Sequence, residues 1–332
     1  MKPSKYLVEH VSRFEYDEPV QGSLMLLRLR PRDDGRQRVL KFNLHVDPYA
    51  ALTELEDPFG NRCHLFNVHR RHGATVVHSR VRVEAGDAPP LPGLPGSDTA
   101  DSSPVSEHPV PDGWEALEAA IDPVDGWEFL QPSRYVRYSD ALEAFTSANG
   151  IERGADPLSS LTELSARLHR AFQYDPGSTA VDSPMDHILE TGRGVCQDYT
   201  HVMLAIARSW GIPGRYVSGY IHREGKEGEQ SLPGASHSWG EFFIPDAGWV
   251  GIDPTNDTLA DHRFVAVAVG RDYADACPTR GTVLGGGGST LEVKVTVTAD
   301  DETAPDWSPH REWPNLRAVS PTPHEYRGGF DQ

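Results

Sequence analysis

One stretch constrains this chain more than any other: GRGVCQDYTHVMLAIARSWGIPG, residues 192 to 214. Val195, Tyr199, Val202, Met203, Ile206 and Trp210 recur at helical spacing, and Gly211 and Pro213 stop the pattern. A helix with so bulky an apolar face belongs in a core, so the rest of the chain must cover it. Cys196 falls in its first turn. There the unpaired N–H groups and the helix dipole favour negative charge, so a thiolate forms more readily and an oxyanion can be held. Gly192 and Gly194 just before it allow a tight backbone approach.

The chain around this helix is long enough, at 332 residues, for two domains. Its net charge of −18 argues against nucleic acid and anionic membrane as partners. The N-terminus lacks the apolar core of a secretion signal, and no apolar run approaches the ~18 residues of a membrane helix. Cys63, Cys196 and Cys277 are few, odd in number and widely spaced. They form no disulfide framework and suit a reducing cytoplasm.

The organisation expected is α+β. Residues 1–83 read as short strands, with Asp57 to Asn61 (DPFGN) as a hairpin turn, hence an antiparallel β-domain, sandwich or barrel. Residues 84–113 are dominated by Pro, Gly, Ser and Asp and read as a linker. Residues 114–298 open with helices. Ser139 and Asp156 are candidate N-caps, and Leu161, Leu164, Leu168 and Phe172 keep a helical rhythm. Strands follow from residue 214. Residues 299–332 are polar, Pro-rich and aperiodic, and read as a disordered tail.

A nucleophilic thiolate needs a base and a group to orient that base. His237 lies in SHSWGEFFIP, where strand alternation puts Trp239 and Glu241 on its face. Asp253 lies in GWVGIDP, and a turn at Pro245 to Gly248 makes the two strands a hairpin. His237 and Asp253 then fall at roughly opposite positions. Each residue alone has a bland reading: a core thiol, a satisfied strand histidine, a cap before Pro254. The three together, in this order, favour nucleophile, base and orienter. Trp239 is a candidate wall for the acyl pocket. Cys63, His64, His69 and His72 do not follow a zinc-ligand spacing, so neither metal nor cofactor is expected. Cys277 has no base nearby in sequence and reads as structural.

GRGVCQDYTHVMLAIARSWGIPGRYVSGY, ASHSWGEFF, GWVGIDPTND and VAVGRDYADACPTRG resemble, in order, the core motifs of bacterial transglutaminase-like proteins. YLVEHVSRFEYDEPVQGSLMLLRLRPR resembles the β-domain that precedes that core in one subgroup. The resemblance implies a papain-like transglutaminase core, with Cys196 as nucleophile, His237 as base and Asp253 as orienter. It also suggests Tyr174, an upstream aromatic residue, as the second oxyanion donor beside the Cys196 N–H. The superfamily holds cross-linking enzymes, peptidases, deamidases and inactive relatives. The expectation is therefore a cysteine enzyme acting on an amide of a peptide or protein, with hydrolysis favoured over cross-linking. The rivals are a cross-linking transglutaminase and a catalytically silent scaffold that binds protein partners.

Overall fold

The computed structural model describes residues 4–86, 113–121, 125–223 and 236–300. Most of the expected linker and nearly all of the expected tail lie outside the described residues. Six strands come first: β1 (Ser4–Val20), β2 (Gly22–Leu27), β3 (Gln37–Asp47), β4 (Leu52–Glu56), β5 (Arg62–Val68) and β6 (His72–Ala85). A helical region follows: α1 (Gly113–Ala120), α2 (Asp125–Glu128), α3 (Asp140–Ala148), α4 (Pro157–Ala171), β7 (Gln173–Tyr174), α5 (Asp186–Thr191), β8 (Arg193–Gly194) and α6 (Cys196–Ser209). The chain then runs through β9 (Gly214–Ile221), β10 (His237–Ile244), β11 (Gly248–Asp253), β12 (Thr258–Leu259), β13 (Phe264–Gly270), α7 (Tyr273–Ala276), β14 (Thr279–Leu284) and β15 (Ser289–Ala299). No described helix is long and apolar enough to cross a membrane.

The first domain obeys the two-residue period of its sequence. Along β1, Tyr6, Val8, His10, Ser12, Phe14 and Tyr16 turn inward. The Asp57 carboxylate accepts the N–H groups of Phe59 and Asn61, both at 3.0 Å, and so shapes the turn between β4 and β5. Two four-stranded sheets, ordered β15-β1-β6-β3 and β14-β2-β5-β4, close over Phe14, Met25, Leu27, Leu29, Phe66 and Val77. The architecture is a sandwich.

This arrangement corrects the expected boundary. Residues 279–299, grouped by sequence with the second domain, return to the first. β14 pairs along β2, and β15 pairs along β1 from Tyr6↔Ala299 to Tyr16↔Ser289. A strand bonds to whichever edge offers free peptide groups, and chain order does not choose that edge.

The second domain is built on α6. Every residue from Gln197 to Arg208 is buried, against α4 on one side and a five-stranded antiparallel sheet, β12-β11-β10-β9-β13, on the other. Buried Arg208 donates to the carbonyls of Gly214, Gln131 and Arg271 and pins the loops around the helix end. Ser139 and Asp156 cap α3 and α4 through Leu142 N–H and Ser159 N–H.

The two domains share hydrogen bonds as well as a core. Gln37 and Asn61, both buried, press side-chain amides against the outer edge of β13. Gln37 accepts from Ala266 N–H (2.8 Å) and donates to Ala266 C=O (2.7 Å). Asn61 does the same with Val269 N–H (2.8 Å) and C=O (2.7 Å). Each amide completes a peptide pair that a neighbouring strand would otherwise supply. Glu241, one strand turn beyond His237 and Trp239 on β10, is held by Arg215 (2.6 Å) and by Arg36 of the first domain (3.0 Å).

Candidate active site

The entrance to α6 is built from close backbone approaches. Gly192 ends α5 at φ +68, in the left-handed region that glycine enters at least cost. β8 then runs parallel to β7, which sets the Tyr174 backbone beside Gly194. A Cβ on Gly194 would meet Ile188 Cδ1 at 2.6 Å and Asp198 Oδ2 at 2.9 Å, so both side chains would have to shift to admit any other residue. That Asp198 oxygen accepts Val195 N–H at 2.8 Å and the Thr179 hydroxyl at 2.7 Å. Burial pushes the Asp198 carboxyl up, and these two donors partly offset the shift. The carboxylate thus caps the helix on which Cys196 is the first residue, partly exposed.

His237 opens β10, and Asp253 ends β11. Gly240 pairs with Ile252, so the two side chains meet diagonally across the hairpin rather than directly opposite each other. His237 Nε2 donates to Asp253 Oδ2 at 2.7 Å, with both residues buried. Asp253 is itself fixed: Oδ1 accepts Thr255 N–H at 2.9 Å, and Oδ2 also accepts the Asn256 amide at 2.7 Å. The other ring nitrogen, Nδ1, is buried with no conventional hydrogen bond and is the one left for the Cys196 thiol.

Electrostatics separates this thiol from the other two. Burial by itself would raise the Cys196 thiol, but the neighbouring His237, with help from Ser238, brings it below its ordinary value. Burial would lower His237, yet the Asp253 charge and hydrogen bond, together with Cys196, carry it up to about 10. Asp253 is held below the usual carboxylate range: burial opposes this, and His237, Asn256 and the Thr255 N–H outweigh burial. Cys63 is instead pushed up to about 11 by burial, and Cys277 is also raised by burial. The favoured state of the cluster is a thiolate beside an imidazolium that is anchored by a carboxylate.

The other expectations fare differently. Tyr174 is half-buried, with its backbone two residues upstream of Cys196 across the β7–β8 pair. Trp239 is only 1% exposed. It stacks on His237 (centroids 6.2 Å, 29°), meets Phe264 edge-on (5.1 Å) and packs with Val217, Ala260 and Ala266. This corrects its reading as a pocket wall: the β13 side of the sheet covers its face, and it supports the histidine from behind. Cys63 and His72 turn to local partners: Cys63 to Asp57 and the Asn61 carbonyl, His72 to Ser23 and the Arg70 carbonyl.

Three residues here escaped the sequence reading. Asn256 had one legible signal, an amide three residues after an acid within a turn. Ser238 and Tyr216 had none. They neighbour the thiol only because β9 and β10 pair with Ser218 opposite Ser238, and Cys196 helps raise an already buried Tyr216 hydroxyl.

Comparison with known proteins follows the same outline. The family model of the bacterial transglutaminase-like N-terminal region matches residues 6–84, and that of the transglutaminase-like superfamily matches residues 129–254. An uncharacterised protein of Mycobacterium tuberculosis is 31% identical over 303 residues, covering 88% of this chain and 92% of that protein. A protein-glutamine gamma-glutamyltransferase of Pseudomonas aeruginosa is 31% identical over 151 residues, covering 42% of this chain and 21% of its own. A crystal structure of a candidate cysteine protease from Cytophaga hutchinsonii superposes with a TM-score of 0.68 at 19% identity, covering 91% of this chain and 92% of that one, and shares the fold. By motif, sequence and architecture, the chain belongs to the transglutaminase-like superfamily, in the group that carries the bacterial transglutaminase-like N-terminal region.

Proposed function

We propose that the protein is a cysteine acyl-transfer enzyme that cleaves a carboxamide or peptide bond and passes the acyl group to water. The observation that carries this reading is the His237–Asp253 hydrogen bond of 2.7 Å beside a Cys196 whose thiol is lowered while both other thiols are raised. The Cys196 thiolate adds to the carbonyl carbon, and the negative charge moves to the carbonyl oxygen. The Cys196 N–H receives it, with Tyr174 as candidate second donor. Imidazolium His237 gives its Nδ1 proton to the leaving amine as the C–N bond breaks, leaving a thioester. Water then loses a proton to His237 and adds to the thioester. The C–S bond breaks, and acid product and thiolate are restored. Asp253 keeps the ring oriented throughout and stabilises its charged form.

Transamidation needs a bound amine in place of water. The Pseudomonas relative's name favours that second reading, over the shared 21% of its length. Water at ~55 M is the default acceptor where no amine site is built. A peptide or protein substrate and a reducing compartment such as the cytoplasm complete the proposal.

The test is alkylation of Cys196 by iodoacetamide across pH, read by mass on the Cys196 peptide, in the native protein and in His237→Ala. Fast reaction on a plateau reaching well below pH 8, lost in the variant, is the expected result. An ordinary thiol titration in both proteins would overturn the enzyme reading in favour of the silent scaffold. Where the plateau is present, incubating an acyl donor with a primary amine separates hydrolysis from cross-linking.

A further inference from the structure

Two buried polar atoms with no hydrogen bond among the described residues belong to consecutive residues beside one sulfur. One is His237 Nδ1, which faces the Cys196 thiol. The other is the Ser238 hydroxyl oxygen. Ser238 is only 3% exposed, so bulk water does not reach it, and a buried hydroxyl without a partner calls for an explanation.

Strand alternation sets the direction of this hydroxyl. Trp239 and Glu241 lie on the face of β10 turned to the first domain, where Glu241 meets Arg36. Ser238, Gly240 and Phe242 lie on the other face, against α6, and Phe242 shares a core with Leu204 and Ile206 of that helix. On β9 the same face carries Ser218 opposite Ser238 and Tyr216 opposite Gly240. Cys196 is the first residue of α6, and Ser238 is the second residue of β10. The start of the helix therefore brings the sulfur to the hydroxyl at the start of the strand.

The chemistry of sulfur says what the hydroxyl is for. A neutral thiol is a weak acceptor and leaves a hydroxyl facing it unsatisfied. A thiolate carries a full charge and takes the proton in a charge-assisted hydrogen bond. The surroundings of Cys196 lean the same way. Burial opposes the thiolate, and after His237 the groups that favour it are the Ser238 hydroxyl and main-chain N–H. Tyr216 stands on the far side of Ser238. Burial raises the Tyr216 hydroxyl well above its ordinary value, and Cys196 raises it further, so it stays protonated and has a hydrogen to give. The titratable groups around the sulfur are thus His237 of β10, held by Asp253 of β11, then Tyr216 of β9 with Tyr273 of α7 behind it, and Asp198 on α6 itself.

We propose that Ser238 is a further catalytic residue: its hydroxyl donates to the Cys196 thiolate and accepts in turn from the Tyr216 hydroxyl. It holds the charge on sulfur before attack, and again when the C–S bond of the thioester breaks and the electron pair returns to sulfur. No covalent bond of Ser238 is made or broken. The proposal deepens the acyl-transfer reading and rests on it for the word catalytic, whereas the hydrogen bond itself is read on the thiol.

The test is iodoacetamide alkylation of Cys196 across pH in the full-length native protein, in Ser238→Ala and in Ser218→Ala, read by mass on the Cys196 peptide. Ser218→Ala is the control, since it deletes the same group from the same face, directly opposite Ser238. Loss of the donor makes the thiolate harder to form and, once formed, more reactive, because thiolate nucleophilicity rises with basicity. In Ser238→Ala the acid limb of the curve should move up by about one pH unit. The plateau rate should rise roughly threefold, as a Brønsted slope of about 0.4–0.5 gives for that shift. Ser218→Ala should leave both unchanged. A limb that stays in place overturns the proposal, and so does an equal change in Ser218→Ala. A limb that moves while the plateau falls also overturns it, because a merely distorted site would behave in that way. A native plateau unmoved by Ser238→Ala sinks the role of Ser238 alone. A native protein with no low-pH plateau sinks the acyl-transfer reading, and an upward shift of its thiol titration in Ser238→Ala would still establish the hydrogen bond.

Discussion

His237 uses its two ring nitrogens for different work. Nε2 is committed to Asp253, so Nδ1 is free to share a proton with Cys196. Asp253→Asn keeps the shape but removes the charge that lifts the imidazolium. The reactive plateau of Cys196 should move to higher pH, and alkylation at pH 7 should slow by on the order of tenfold or more, since one pKa unit is about 1.4 kcal/mol. The pH–rate curve of the variant checks this. A second prediction concerns stability. The folded His237 value, about 10, exceeds its ordinary 6.5, so the stability it contributes is full below 6.5 and is lost as pH rises through about 10. Asp253 is shifted the other way, and its contribution is lost as pH falls through its lowered value. Denaturation of native protein and His237→Ala across pH should give curves that differ most from above the Asp253 range up to about pH 6.5, with a gap that narrows as pH rises through about 10.

At the scale of elements, the local rules reach a long way. The helix at Cys196, its glycine entrance, the caps at Ser139 and Asp156 and the turn at Asp57 rest on neighbours within a few residues, and each is legible in the sequence. What escapes is anything decided by a partner far along the chain. The diagonal between His237 and Asp253 depends on the hairpin register, and the burial of Trp239 depends on Phe264 and Ala266. The amide clamps span 229 residues for Gln37 and 208 for Asn61. Asn61→Ala leaves a buried N–H and C=O of Val269 unpaired, at about 1–3 kcal/mol for each unsatisfied group. A drop of roughly that size in unfolding free energy by urea titration is expected, together with faster hydrogen exchange along β13. Gly194→Ala should cost as much or more, because Ile188 and Asp198 must move and the entrance to α6 moves with them. Its alkylation rate should fall even where the fold survives.

The whole molecule is tied together by its ends. β14 and β15 leave the second domain and complete both sheets of the sandwich, so the first domain contains sequence from both sides of the second. A chain stopped after residue 276 keeps Cys196, His237 and Asp253 but leaves β1 and β2 with bare edges. It should aggregate or lose cooperative unfolding, which sedimentation and thermal circular dichroism would reveal. The sequence by itself determined the two kinds of domain and the core helix, and it singled out Cys196, His237 and Asp253 as candidates, because periodicity, caps and the chemistry of each side chain are properties of neighbouring residues. Only the tertiary structure decided which strands close the sandwich, that Trp239 backs the histidine, and that the Gln37 and Asn61 amides clamp the outer edge of β13. Those outcomes depend on which distant peptide groups and apolar surfaces find one another, and no local stretch carries that information.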